Sequence, residues 1–469
     1  MAKIVLYPSP GIGHIISMVE LGKLLLSHSS SSISSITILI PNFPFNVGSY
    51  SSYLSSVASS YPSINFHSLP LLLGDPSKYE DMEQIYFETL NSNNPNVLNA
   101  LKLISQTSPI SAFIIDFFCY SALQVSQSLQ IPTFFFWASG ASVLAFHLNF
   151  PVYHKIYTDS YRNLNVLLQI PGLFSVPSSD VVHCMRDRGA SYHEFVKMTE
   201  ILPKSDGFII NTFDSLEVRG VMGLKQGICL PGTKIPPVYC IGPLIANRAE
   251  GGERERHKCL SWLDSQPSQS VVYLSFGSRG MFSKEQLWEI AFGLEKSGVR
   301  FLWAVRAPPS KDRGDAFLPP PEPDLDLILP DGFLDRTKDR GLVVKSWVPQ
   351  IGVLGHESLG GFVTHCGWNS VLEAIDAGVP MVAWPLYAEQ RFNKILLVEE
   401  IGIALPMNES EHGFMSSSEI EKRVKQIISL EGEVVKKRVL DLKCKAKAAL
   451  NEEGSSRVAL KTLVESYSR

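Results

Sequence analysis

The sequence is short of several features that would narrow its chemistry. Its seven cysteines are an odd number and no two form a CxxC pair. That argues against a disulfide framework and a zinc ribbon, and points to reduced thiols in the cytoplasm. Charge is nearly balanced, with 42 Lys and Arg against 46 Asp and Glu for a net of −4. A nucleic-acid partner needs a basic face that this balance does not offer. There is no HExxH, no GxxxxGK followed by Ser or Thr, and no Ser-His-Asp order. A zincin, a P-loop enzyme and a serine hydrolase therefore lose their signatures. The opening MAKIVLYPSPGIGH is apolar but too short, and too interrupted by Pro and Gly, for a signal peptide. One longer apolar run, Phe134–Tyr153, contains Ser139, Ser142, His147, Asn149 and Pro151. It reads as a strand end plus a buried helix, and no membrane span is expected.

What is present describes a large globular chain. It has 469 residues, 45% of them hydrophobic and 19% charged, enough for two or three domains with sizeable cores. Short apolar runs alternate with helical patterns: KIVLYP at Lys3–Pro8, SITILIP at Ser35–Pro41, SAFIIDFF at Ser111–Phe118 and PTFFFW at Pro132–Trp137. The second half repeats the habit with VVYLSFGS at Val271–Ser278, RFLWAVR at Arg300–Arg306, GLVVKSWVP at Gly341–Pro349, GGFVTHCG at Gly360–Gly367 and PMVAWP at Pro380–Pro385. Strands alternating with helices predict parallel sheets covered on both faces, an α/β fold. Patterning lapses within Tyr239–Lys258, where Gly, Glu and Arg take over. The expected division is an N-terminal domain over 1–240, a linker over 241–256, a second domain over 257–450 and a C-terminal helix over 451–469 packing back on the first. Asn42–Pro62 and Ala307–Pro330 read as loops.

Two sheets of this kind bind ligands at the carboxyl ends of their strands, and a cleft between the domains is expected there. The stretch THCGWNS, Thr364–Ser370, lies where a strand gives way to a helix closed by Gly378. Free backbone N–H groups and the positive end of the helix dipole make such a turn an anion site. Gly367 permits close approach, and His365, Asn369 and Ser370 are donors. Taken alone, Asn369 and Ser370 are explained equally well as helix caps. His14 follows PGIG after the first strand, and Asp116 ends FIID on another strand of the same sheet. A neutral imidazole is a suitable general base near pH 7, although each residue alone also reads as a capping group.

Two decoys are set aside. Gly11–Gly13 lacks the third glycine of a dinucleotide fingerprint, and no acidic residue ends the second strand. The DLD at Asp324–Asp326 has the spacing of a metal-binding DxD, but it lies in a Pro-rich segment with no strand before it and reads as a solvated loop.

The whole block from Trp347 to Gln390, with WVPQ, HCGWNS, GVPM and EQ in order, resembles the signature of plant secondary-product UDP-dependent glycosyltransferases. The likeness extends to PGIGH, to SFGS at Ser275–Ser278 and to WLDSQP at Trp262–Pro267. It implies the GT-B fold, two Rossmann-like domains facing each other across a cleft. It also implies an inverting, metal-independent transfer of glucose from UDP-glucose to a hydroxyl, or an aromatic carbon, of a flavonoid or other phenolic. UDP-glucose would be a co-substrate, with no cofactor, no nucleic acid, and a monomeric cytoplasmic protein. By the same resemblance Trp347 stacks on uracil and Val348 reads its edge. Gln350 and Glu373 take the ribose, Ser278, His365, Asn369 and Ser370 the diphosphate, and Trp368, Glu389 and Gln390 the sugar. His14 and Asp116 form the catalytic dyad. Trp137 and Ala138 stand where relatives commonly carry a threonine that reaches the sugar, so Ser139 is the expected substitute; Phe118 is the expected acceptor wall. The alternative is a UDP-sugar-binding protein without catalysis.

Overall fold

A computed structural model describes residues 2–28, 33–43, 50–72, 78–79, 81–246, 256–310, 321–410 and 413–467. The chain divides into two compact units, one of residues 1–250 with 446–469 and one of 251–445.

The first unit holds strands β1 (Ala2–Tyr7), β2 (Ile33–Ile40), β3 (Ile64–Ser68), β4 (Ile110–Asp116) and β5 (Thr133–Trp137). A small antiparallel pair, β6 (Leu167–Gln169) and β7 (Ser175–Pro177), follows, then β8 (Gly207–Ile210) and β9 (Val238–Cys240). The main sheet is parallel throughout, in the order β3-β2-β1-β4-β5-β8-β9. Strands buried on both faces must be apolar on both, and Ile4 to Tyr7, Phe113 to Ile115 and Phe135 to Trp137 are at most 1% exposed. The order reverses at β1 and β4, the switch point at which a doubly wound sheet leaves room for a ligand.

The second unit has β10 (Val271–Ser275), β11 (Arg300–Val305), β12 (Gly341–Lys345), β13 (Leu359–Thr364), β14 (Met381–Ala383) and β15 (Ala404–Pro406). All are parallel, in the order β12-β11-β10-β13-β14-β15. Its switch point falls between β10 and β13.

Several sequence expectations need correction. The segment read as a loop over Asn42–Pro62 contains the helix Ser51–Ser60. It is Ser-rich and buries only Val57, so it has no apolar stripe to betray it. Asp324 lies in irregular, exposed chain as expected, but Asp326 does not: it is in the one-turn helix Leu325–Ile328, which the Asp324 carboxylate caps by accepting from Asp326 N at 3.1 Å. Residues 241–246 are not linker. Ile241 and Leu244 are packed in the first core, and Gly242 O accepts from Ser456 Oγ at 2.7 Å. The remainder of the expected linker, 247–255, and part of Ala307–Pro330, 311–320, lie outside the described residues. The run Phe134–Tyr153 is β5 followed by the helix Ala141–Ile156, with Pro151 inside it. Among the described residues no helix is long and apolar enough to cross a membrane.

Candidate active site

In the first unit the chain leaves β1, turns through Gly11 at φ +104° and enters the helix Ile12–His28. Gly11 O accepts from the N–H groups of His14 and Ile15, each at 3.1 Å, which fixes His14 in the first turn. Register sets its partner: β4 lies beside β1 with Ile115 opposite Tyr7, so Asp116 ends its strand next to that turn. His14 Nδ1 and Asp116 Oδ2 are 2.7 Å apart. Asp116 is fully buried while the His14 side chain is 28% exposed. The second carboxylate oxygen accepts from Phe118 N at 3.1 Å, so the aspartate is held from both sides. A carboxylate on Nδ1 keeps the proton there and makes Nε2 the basic nitrogen.

Aromatic rings wall the imidazole. Phe117 and Phe118 have centroids 5.7 and 5.8 Å from it. Phe118 is only 7% exposed and also packs against Tyr86, Phe87 and Phe195, so it backs the histidine as much as it lines a pocket. Ser139 is 6% exposed and precedes Gly140, which heads the helix Ala141–Ile156. That helix is capped from far along the chain. The Glu217 carboxylate accepts from Ala141 N at 2.8 Å, Ser142 N at 2.9 Å and Thr212 Oγ1 at 2.7 Å. Burial pushes the Glu217 carboxyl up, and these bonds oppose the shift. A Cβ on Gly140 would fall 2.6 Å from Glu217 Oε1, so only glycine fits. Sequence reasoning missed Glu217, because nothing local marks a cap so far from its helix.

In the second unit every expected donor residue lies at the carboxyl edge of the sheet. Non-glycine residues in left-handed conformation turn three of the loops: Ser346 after β12, Cys366 after β13 and Ala388 after β14. Gly277 does the same after β10 with φ +74°. Such backbone carries strain and gathers at functional sites.

His365 is 6% exposed, with its ring in a notch between Gly277 and Gly367. A Cβ on either glycine would collide with Nε2, a close-approach reason for both. Burial pulls the His365 pKa down to about 4, so it is neutral at pH 7 and offers one N–H but no charge. Its Nδ1 is buried without a hydrogen-bond partner among the described residues. The helix Trp368–Ala377 has Gly367 as N-cap with no side-chain cap bond. Asn369 and Ser370 are thus inside the first turn and not caps, and the turn carries the positive end of the helix dipole, where anions are favoured.

Gln350 opens the helix Gln350–Leu354. Its amide donates to Ser370 Oγ at 2.8 Å and to Glu373 Oε2 at 2.7 Å. Ser370 accepts there, so its hydroxyl proton is available to a ligand. Burial pushes the Glu373 carboxyl up to about 7, which the Gln350 bond partly offsets. Trp347 is 55% exposed and meets the edge of His257 at 6.1 Å, whereas Val348 is 3% exposed. Trp368 is 3% exposed. Glu389 is the N-cap of the helix Gln390–Ile395. Gln390 is 2% exposed, and its carboxamide oxygen accepts from Leu386 N at 2.8 Å and Tyr387 N at 2.9 Å. That oxygen is committed to its own loop, which leaves only the NH2 side for a sugar. Ser278, after Gly277, is exposed.

The family model described as UDP-glucoronosyl and UDP-glucosyl transferase matches residues 234–447. UDP-glycosyltransferase 88B1 of Stevia rebaudiana is 48% identical over 99% of both chains. The anthocyanidin 5,3-O-glucosyltransferase of a Rosa hybrid cultivar is 44% identical over 98% of both. The chain belongs to the UDP-glycosyltransferase family. Its fold is that of GT-B members such as Phytolacca americana UGT2, solved with UDP-2fluoro-glucose and pterostilbene. That structure matches with TM-score 0.88 at 35% identity over 100% of both chains.

Membership makes the Glu373 shift testable. A carboxylate accepting from ribose hydroxyls must be ionised. With a pKa near 7 in the free protein, Glu373 in the ribose role that the resemblance implies would release a proton on donor binding below that pH. The KM for UDP-glucose is expected to be flat above pH 7.5 and to rise about tenfold per unit well below 7. Glu373→Gln should raise KM and remove that slope. A wild-type KM unchanged between pH 5.5 and 8 would contradict the assignment.

Proposed function

We propose that this UDP-glycosyltransferase moves glucose from UDP-glucose to a hydroxyl of a flavonoid or other phenolic, with inversion. The observation that carries it is the His14–Asp116 pair at 2.7 Å, a base with its orienting carboxylate in place, which a UDP-sugar-binding protein without catalysis would not need. The acceptor hydroxyl loses its proton to His14 Nε2 as its oxygen attacks the anomeric carbon. The bond from that carbon to the diphosphate breaks, and its electron pair leaves with UDP. The His14 imidazolium that forms is stabilised by Asp116. Similar proteins support the acceptor class: they include the anthocyanidin enzyme and a phloretin 2'-O-glucosyltransferase of Malus domestica at 44% identity.

The departing diphosphate is assigned to the N-terminus of Trp368–Ala377 with Ser278, His365, Asn369 and Ser370. Trp347, Val348, Gln350 and Glu373 are assigned to the nucleoside, Trp368, Glu389 and Gln390 to the sugar, and Phe118 and Ser139 to the acceptor. No metal is assigned a role. Helix N-termini stabilise anions without one.

A single panel checks donor and metal together. Transfer should favour UDP-glucose over UDP-galactose and UDP-glucuronate at equal concentration, and should survive excess chelator. A preference for either other sugar, or a loss of activity restored by manganese, would overturn the corresponding assignment.

A further inference from the structure

His365 is neutral, and a helix N-terminus supplies only about half an elementary charge, whereas a departing nucleoside diphosphate carries at least two full negative charges. We infer that Arg306 supplies the missing full charge, its terminal nitrogens pairing with diphosphate oxygens; this rests on the donor-site reading above.

Arg306 is the residue after β11, which pairs with β10 at the switch-point side of the sheet. Its Nε donates to Gly277 O at 3.1 Å. Gly277 is also one of the two glycines that form the His365 notch. The Tyr387 ring lies 6.1 Å from the His365 ring, and the Tyr387 and Tyr273 hydroxyls are the groups that bear electrostatically on Arg306. The guanidinium is therefore tied by a hydrogen bond to the turn whose glycine forms one side of the His365 notch.

Its bonding is incomplete for a half-buried cation. A guanidinium has five N–H donors, and the bond to Gly277 is its one hydrogen bond among the described residues. Among the described residues no carboxylate pairs with it. Elsewhere in this unit Arg336 sits on Glu295, Arg391 on Glu409 and Arg423 on Glu419. Burial pulls the Arg306 pKa down, the Tyr387 and Tyr273 hydroxyls push the other way, and a desolvated cation without a carboxylate partner is costly. A diphosphate would provide the partner, and arginine suits it because its planar fork can hold two oxygens at once. In the transfer step the anomeric C–O bond breaks toward the diphosphate. Arg306 neutralises charge that grows on that oxygen and exchanges no proton.

Calorimetry on the full chain separates this role from a structural one by comparing UDP with uridine, which lacks phosphate. Arg306→Gln should weaken UDP binding about 10–100-fold, the worth of hydrogen bonds to charged groups, and leave uridine within twofold. Arg306→Lys should recover part of the UDP affinity. A second readout needs no variant: phenylglyoxal labelling of Arg306 in the wild type, mapped by mass spectrometry, should be blocked by UDP and not by uridine. UDP affinity unchanged in Arg306→Gln, equal losses for UDP and uridine, or labelling indifferent to UDP would each overturn the inference and leave the donor site standing. A wild type that binds uridine but not UDP would overturn the donor-site reading as well.

Discussion

Replacing His14 with alanine is expected to slow transfer to a weakly acidic phenol by about 10²–10⁴-fold, the usual worth of a positioned base. UDP affinity should stay within twofold, because the residues assigned to the donor lie in the other compact unit, 251–445. Asp116→Ala should slow the reaction less, since it acts by fixing the imidazole that it meets at 2.7 Å. The double variant should be about as slow as His14→Ala, as groups that act as one unit are not additive. Asp116 is fully buried, so thermal midpoints must accompany the rates. The loss should shrink for phenols acidic enough to be ionised at the assay pH, which need no base. Full turnover by His14→Ala on a weakly acidic phenol would make the histidine a helix-start residue and no more.

The second large effect belongs to a glycine. Gly367 has φ −64°, a conformation open to any residue, so Gly367→Ala adds no backbone strain. Its methyl group would occupy the space of His365 Nε2, and the imidazole must leave its notch. UDP affinity is expected to fall about 10–100-fold, or roughly 1.4–2.8 kcal/mol, as the turn loses its donors to the diphosphate. Gly378 at the other end of the same helix is the control. It has φ +78°, so Gly378→Ala should cost about 1 kcal/mol of stability while leaving UDP affinity nearly unchanged. Equal losses of UDP affinity in the two variants would mean that the helix, and not the notch, governs binding.

The sequence reveals what is carried by local pattern. KIVLYP, FIID and GGFVTH are apolar because parallel strands are buried on both faces; Asp116 and His365 end their runs, and His14 follows the first after SPGIG. That adjacency is why His14, Asp116 and His365 can be picked out without coordinates. The strand order, which puts both candidate sites at switch points, comes from pairing that no single segment encodes. Glu217 caps a helix that begins at Ala141, and Arg306 ties the Gly277 turn; neither has a motif, because the contact joins distant parts of the chain. Burial also changes chemistry that residue type suggests. His365 looks like a source of positive potential, yet its pKa near 4 makes it a neutral donor. Gln390 looks like a sugar ligand, yet its carbonyl is committed to the Leu386–Tyr387 backbone. The acceptor pocket was least legible because Phe118 belongs to an aromatic cluster that packs as core.

The central claim is inverting transfer of glucose to a phenol hydroxyl. Its most direct test is to incubate the full chain with UDP-glucose and a weakly acidic phenol, following UDP release and the anomeric configuration of the product by proton NMR. The account predicts one UDP released per glucoside formed, with the α-linked donor giving an acid-labile β-linked O-glucoside. An α-linked product, or UDP released only with free glucose, would contradict it.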